Sequence, residues 1–216
     1  MIKTDLNLEY ISILSKILKN SFQDSYIVLG SMATLSYTSK IGYERKMNDL
    51  DMIVDQTQVQ SIREILTYQG FIQTTFINKR MPFYKKLLEH SQSIYLRFSK
   101  GDINVEILST KFIKAKSFLK FDLYPNFWVQ IPINSLFIKK LGIAKFWTLD
   151  VNLLWAIKYL LHNSLGKFMR YKGEQRTVDL SHLRKLVNLA KAKKFLSLCR
   201  FGYLSLSFQI SGFFLK

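Results

Sequence analysis

A chain of 216 residues, 48% hydrophobic and 14% aromatic, carries enough apolar mass for one packed domain or a core with a smaller appendage, which excludes an intrinsically disordered protein. The net charge of +17 demands a strongly positive surface and points to a polyanionic partner: nucleic acid, nucleotide phosphates or acidic lipid. A lone Cys199 excludes an intrachain disulfide and a cysteine-based zinc site, and no run reaches the ~18 uncharged apolar residues of a membrane span, so a cytoplasmic protein with no membrane partner is expected.

The first predicted element is a helix, with Leu6, Leu8, Ile11, Leu14, Ile17 and Leu18 recurring near helical period. Tyr26 to Leu29 reads as a short buried strand ended by Gly30, and Met32 to Tyr37 as a helix whose N-terminus is Gly30-Ser31. After a polar, basic loop, Leu50 to Val54 forms a second strand, and a helix follows from about Gln58 to Tyr68 with Thr57 and Gln60 as its capping box. Ser93 to Phe98 and Ile103 to Leu108 flank Lys100-Gly101-Asp102 as a hairpin. Phe118 to Leu123 and Phe127 to Ile131, broken at Tyr124-Pro125-Asn126, form another. From Val151 the pattern is helical again: Leu153, Leu154, Ile157, Leu160 and Leu161 mark one helix, and Val178, Leu183, Leu186 and Val187 a second. The division falls near Thr148, giving an α/β (α+β) mixed-sheet core over 1–148 and a helical region over 149–216, with Asp150 placed to cap the first of those helices. The uncharged tail from Phe201 to Leu215 alternates like a strand and needs an edge or a helix to cover it.

The chemistry concentrates on two spots. Side chains two apart on a strand share a face about 7 Å apart, so Asp49 and Asp51 form a carboxylate pair on an apolar strand. Two like charges held together are unfavourable unless a cation joins them, and magnesium takes hard oxygen ligands of this kind. Gly30-Ser31 is either a plain strand-to-helix turn or a phosphate cradle of backbone N–H groups and a hydroxyl. On the C-terminal helices, Lys158 flanks the apolar stripe and either snorkels to water or reaches into a site. Asp179, following Thr177, reads as a first-turn acid complementing the helix dipole.

The string Val28-Leu29-Gly30-Ser31 followed by Asp49-Leu50-Asp51-Met52 resembles the polymerase-beta-type nucleotidyltransferase pattern hG[GS]…Dh[DE]h. Arg45 before the acids, and Lys158 followed by Arg176-Thr177-Val178-Asp179-Leu180, resemble the branch containing AbiEii/AbiGii-type toxins. The resemblance implies a third carboxylate on a neighbouring strand, for which Glu106 is the matching position. Asp102 in the hairpin turn is the alternative, and Glu106 could equally be the solvent face of an edge strand. It further implies Asp49, Asp51 and Glu106 as magnesium ligands and Gly30, Ser31, Arg45 and Lys158 as contacts to the NTP, with Lys158 and Asp179 completing the catalytic set. The reaction implied moves a nucleoside monophosphate from an NTP to a hydroxyl acceptor, with RNA, and tRNA ends within the toxin branch, as the acceptor and an antitoxin protein as a further partner. Two rivals stand beside it: a non-catalytic nucleic-acid-binding protein on the same fold, and an effector that nucleotidylates protein.

Overall fold

Strict alternation along two strands builds the main sheet. In β2 (Leu50–Asp55) and β5 (Ile103–Thr110), Leu50, Met52, Val54, Ile103, Val105 and Ile107 are buried, while Asp51, Ile53, Asn104 and Glu106 on the other face stay partly exposed. The period of two thus assigns one face to a core and the other to chemistry. The computed structural model describes residues 5–19, 25–43, 45–74, 94–124, 127–165 and 173–201.

Together with β1 (Tyr26–Val28), β3 (Ile72–Thr74) and β4 (Ile94–Lys100), these strands form a five-stranded sheet in the order β1-β2-β5-β4-β3. The β2–β5 pair is parallel and every other pair in this sheet is antiparallel, so the sheet is mixed, as the element order implied. Helices α1 (Asp5–Lys19) and α3 (Val59–Tyr68) cover its apolar face through Tyr10, Leu14, Ile17, Ile62 and Leu66. Against the other side lies α2 (Gly30–Thr38), whose residues from Ser31 to Thr38 are all buried. The helix is buried on every side although nearly half of it is Ser or Thr, because the hydroxyls of Thr34, Ser36 and Thr38 donate back to carbonyls of α2 itself and that of Ser31 to the Asp49 carbonyl. Ala33 and Tyr37 enter a second core with Leu153, Leu154, Leu183 and Phe195.

Those partners come from α4 (Val151–Leu165), α5 (Gly173–Arg184) and α6 (Leu189–Leu198). Asp150 caps α4 as expected, accepting the Asn152 N–H at 2.9 Å. Between the sheet and these helices run β6 (Phe112–Lys114), β7 (Phe118–Tyr124) and β8 (Phe127–Pro132), joined by β11 (Arg200–Phe201) into a four-stranded sheet, and the hairpin β9 (Leu136–Leu141) with β10 (Ala144–Leu149). The predicted β7–β8 pairing forms, with residues 125–126 of its turn outside the described residues.

Several expectations change. The stretch that yields β9 and β10 carried no predicted element, because the alternation in Leu136-Phe137-Ile138-Lys139-Lys140 breaks at two adjacent lysines. The Thr57/Gln60 capping box does not form. The chain first makes a 3-10 turn over Gln56–Gln58, Asp55 takes the Thr57 N–H at 3.0 Å, and Gln60 bonds Glu64 instead. Helix α5 begins at Gly173, so Asp179 lies beyond the first turn, where the dipole's pull has faded. Helix α6 was not foreseen. Of the apolar tail only Phe201 is described, and 202–216 lie outside the described residues.

Candidate active site

Parallel pairing of β2 with β5 sets Asp51 opposite Glu106, and Asp49 precedes Asp51 on the same side. One carboxylate oxygen from each of Asp49, Asp51 and Glu106 lies within 4.8 Å of the others. Glu106, and not the turn residue Asp102, is what the structure brings to the pair. Its strand lies between β2 and β4, so it is not an edge strand. Three like charges at this distance repel unless a cation or donors compensate. Part of the compensation comes from β4: Arg97 pairs across from Glu106 in the ladder and sets its Nε 3.9 Å from Oε1. Tyr95, two residues earlier on the same face, hydrogen-bonds Glu106; burial first, then that bond and the charges of Glu106 and Asp51, hold its phenol above the ordinary tyrosine range.

Gly30 is required by space. With φ of +61° it sits in the left-handed region, and a Cβ built on it would fall 1.8 Å from Oδ2 of Asp51. The first turn of α2 therefore abuts the carboxylates with nothing but backbone. Its cap residue Leu29 supplies no side-chain acceptor, and the leading N–H groups of a helix lack intrahelical partners. The buried Ser31 hydroxyl donates to the Asp49 carbonyl at 3.0 Å and ties the helix to the segment carrying the acids. The donors left there for a phosphate are backbone N–H groups.

Helix α1 fixes the other side of that segment. Asn7 donates to the Arg45 carbonyl and accepts the Met47 N–H, each at 2.8 Å. One turn later, the buried Tyr10 hydroxyl donates to the Asn48 carbonyl at 2.8 Å and accepts the Asn104 N–H at 3.0 Å. A single oxygen thus joins the residue before Asp49 to the strand that carries Glu106.

A second cluster gathers on Asp179, which is 1% exposed. Arg45 Nη1 pairs with Oδ2, Lys158 Nζ lies 3.4 Å from the same oxygen, and Tyr43 donates to Oδ1 at 3.1 Å. Asp179 is thus an anchor for two cations. Tyr43 also stacks on His182, with centroids 3.9 Å apart, and burial, then Asp179, pushes its phenol up to about 12. Burial likewise holds the Lys158 ammonium below the usual lysine range, aided by Arg45, while Asp179 and Asp51 pull the other way. The pull from Asp51 links the two clusters: Lys158 stands within electrostatic reach of the carboxylates.

The sequence-predicted residues therefore divide into a carboxylate group (Asp49, Asp51, Glu106) backed by Gly30 and Ser31, and a cationic group (Arg45, Lys158) held by Asp179. Sequence reasoning missed Tyr10, Asn7, Tyr43, Tyr95 and Arg97. For Arg97 and Tyr95 a signal existed, since both alternate onto one face of a strand expected to pair with that of Glu106. For the others no local pattern marks the role.

No family model and no curated protein sequence matches the chain. Two solved structures are similar to it. One is ANT(2")-Ia in complex with adenylyl-2"-tobramycin, 11% identical, with a TM-score of 0.47 over 82% of this chain and 98% of the other. The second is a candidate nucleotidyltransferase from Thermotoga maritima, 16% identical, with a TM-score of 0.46 over 83% of this chain and 96% of the other. Both scores lie below 0.5, so the functional reading rests on the geometry of the site.

Proposed function

We propose that this chain is a divalent-metal-dependent nucleotidyltransferase that moves a nucleoside monophosphate from an NTP to a hydroxyl of RNA. The observation that carries the reading is the convergence of three carboxylates within 4.8 Å on a helix N-terminus stripped of side chain at Gly30. The donor set is all hard oxygen and fits magnesium. Asp49, Asp51 and Glu106 would hold it, and bound there it would neutralise phosphate charge and ease departure of pyrophosphate.

The chain's own groups do the rest. Backbone N–H groups opening α2 receive phosphate oxygens, and Lys158 and Arg45, oriented by Asp179, balance the remaining negative charge. An acceptor hydroxyl forms a bond to the α-phosphorus as the bond to the bridging oxygen of pyrophosphate breaks. The proton of that hydroxyl passes to Glu106, which Tyr95 and Arg97 hold in place. Phosphoryl transfer needs little more from a protein than such positioning and charge. The net charge of +17 favours a polyanionic acceptor.

Incubation with α-labelled NTPs, magnesium and total RNA tests the proposal. Label should enter RNA, and Asp49→Ala or Asp51→Ala should abolish it. Labelling that survives both substitutions refutes the site. Label confined to protein refutes the acceptor, and RNA binding with no transfer of any NTP refutes the enzyme.

A further inference from the structure

The register of the main sheet lays a row of side chains across the face that carries the carboxylates. Asp51 of β2 stands opposite Glu106 of β5, Glu106 opposite Arg97 of β4, and Arg97 opposite Thr74 of β3. Residues directly opposite in a ladder share a face, so the row runs from the carboxylates to the edge of the sheet. Its two ends differ. At the β1–β2 end the first turn of α2 abuts Asp51 at Gly30, and Lys158 stands within electrostatic reach of the same carboxylate. Toward β3 the row opens: Arg97 and Ser99 are half-buried, and Ile72 and Thr74 are exposed.

Neighbours on that face set the position of Arg97. Asn104 Oδ1 accepts the Ser99 hydroxyl at 2.8 Å and Arg97 Nε at 3.3 Å, which fixes the guanidinium beside Glu106. The 3.9 Å from Nε to Glu106 Oε1 exceeds a hydrogen bond, so Nε engages Asn104 and reaches the carboxylate through charge alone. A guanidinium presents five N–H donors in a planar fork suited to phosphate. The Arg97 side chain is 25% exposed, so part of that fork is reached from solvent.

The direction of the reaction decides what meets it. In phosphoryl transfer the attacking oxygen and the leaving pyrophosphate lie in line, on opposite sides of the reacting phosphorus. With pyrophosphate at α2 and Lys158, the acceptor hydroxyl comes to Glu106 from the β4 side, one strand spacing of about 4.8 Å from the strand of Arg97. In a nucleic acid the terminal 3′ hydroxyl and the phosphate on the same nucleotide are separated by the sugar alone. A serine or tyrosine hydroxyl of a protein brings no such phosphate, and a cationic amino sugar would be repelled.

We infer that Arg97 is the acceptor-side phosphate contact: with the 3′-terminal hydroxyl of an RNA at Glu106, its guanidinium receives the phosphate that joins that last nucleotide to the strand. The inference rests on the nucleotidyl-transfer reading for the place of the hydroxyl, but the contact is testable without turnover.

The measurement is binding of a 5′-fluorescein-labelled single-stranded RNA to the full chain by anisotropy, with magnesium and without NTP, beside the same RNA carrying a neutral methylphosphonate in its 3′-terminal linkage. The unmodified chain should bind the methylphosphonate RNA about tenfold more weakly. Arg97→Gln should bind the native RNA about tenfold more weakly and lose nothing further on the methylphosphonate RNA, because both changes remove one contact. Losses that multiply overturn the inference, as does equal coupling of Arg97→Gln to a methylphosphonate in an internal linkage. A role confined to offsetting carboxylate charge would shift Mn2+ affinity in Arg97→Gln and leave the tenfold ratio between the two RNAs intact, which also overturns it. Arg97→Lys keeps the charge and loses the fork; it should shrink the ratio, and it carries the cycle where thermal melts show that Arg97→Gln does not fold. If the coupling is found and no NMP is transferred from any NTP, the contact stands and the enzymatic reading falls; transfer to RNA without the coupling does the reverse.

Discussion

Tyr10→Phe removes one oxygen and nothing else, yet that oxygen is shared by two backbone groups on the segments carrying Asp49 and Glu106. Tyr10 is fully buried, but Asn48 is exposed and Asn104 half-buried, so water can take over part of the lost bonding. The loss is therefore nearer the net worth of one hydrogen bond, about 1 kcal/mol, than the penalty of two buried unpaired groups. With a urea dependence of about 3 kcal/mol per molar for a chain of this size, the unfolding midpoint should fall by about 0.3 M. The consequence for the site is separable from that loss. Freed from the Tyr10 bridge, the Asn48 and Asn104 backbones no longer fix the spacing of the two carboxylates, so Mn2+ binding followed by electron paramagnetic resonance should weaken. Leu14→Ala supplies the comparison: it lies on the same helix in the same core and should cost about 2–5 kcal/mol, but its side chain hydrogen-bonds neither segment and its loss should leave metal affinity unchanged. Equal metal affinity in Tyr10→Phe and the unmodified chain, or a midpoint that does not move, would refute the bridging argument.

Gly30→Ala should abolish NMP transfer while leaving the far-UV circular dichroism native, because the new methyl collides with the Asp51 carboxylate and the backbone at φ +61° resists a side chain; transfer at the unmodified rate would show that the helix does not abut the acids. Asp55 supplies a pH prediction. Burial pushes its carboxyl up, but bonds from the Thr57 hydroxyl and N–H and from the Phe112 N–H, with the charge of Lys114, prevail and hold it below the usual carboxylate value. A folded pKa lower than the unfolded one means stability that is fully present above the unfolded value and lost as pH falls through the folded one. Asp55→Asn should therefore lower stability at neutral pH and flatten the acid limb of a stability–pH curve, and an unchanged limb would remove Asp55 from the account.

What the sequence made legible was what period and spacing control. Asp49 and Asp51 share a face because strands alternate, Glu106 joins them because its own strand alternates beside theirs, and Gly30 marks the turn because a left-handed φ excludes other residues. Illegible was everything decided by distance in space. Asn7 and Tyr10 reach partners 38 residues away, and Tyr43 meets Asp179 across 136 residues; no local pattern announces such contacts. The misplaced start of α5 made Asp179 look like a dipole-complementing surface acid. What buries it is tertiary packing, which seats it against Arg45, Lys158 and Tyr43. The β9–β10 hairpin escaped because adjacent lysines break the alternation that identifies a strand.

Asp179 also bears on why the cations stand where they do. A buried ion pair is a poor route to stability, since desolvation costs about as much as the Coulombic gain, and well-packed apolar residues would serve the core as well or better. Here the side chains of Asp179 and Arg45 are 2% and 10% exposed, and Tyr43 and Lys158 complete the coordination of the acid. Stability does not account for such an arrangement. Position does: a carboxylate sunk between α4, α5 and the loop before β2 holds a guanidinium and an ammonium at fixed points, with the ammonium within electrostatic reach of Asp51. The Lys158 ammonium lies within electrostatic reach of that carboxylate, and on the proposed function the cations would meet a negative charge arriving between the two clusters. A triphosphate bound at the N-terminus of α2 would place its charge there.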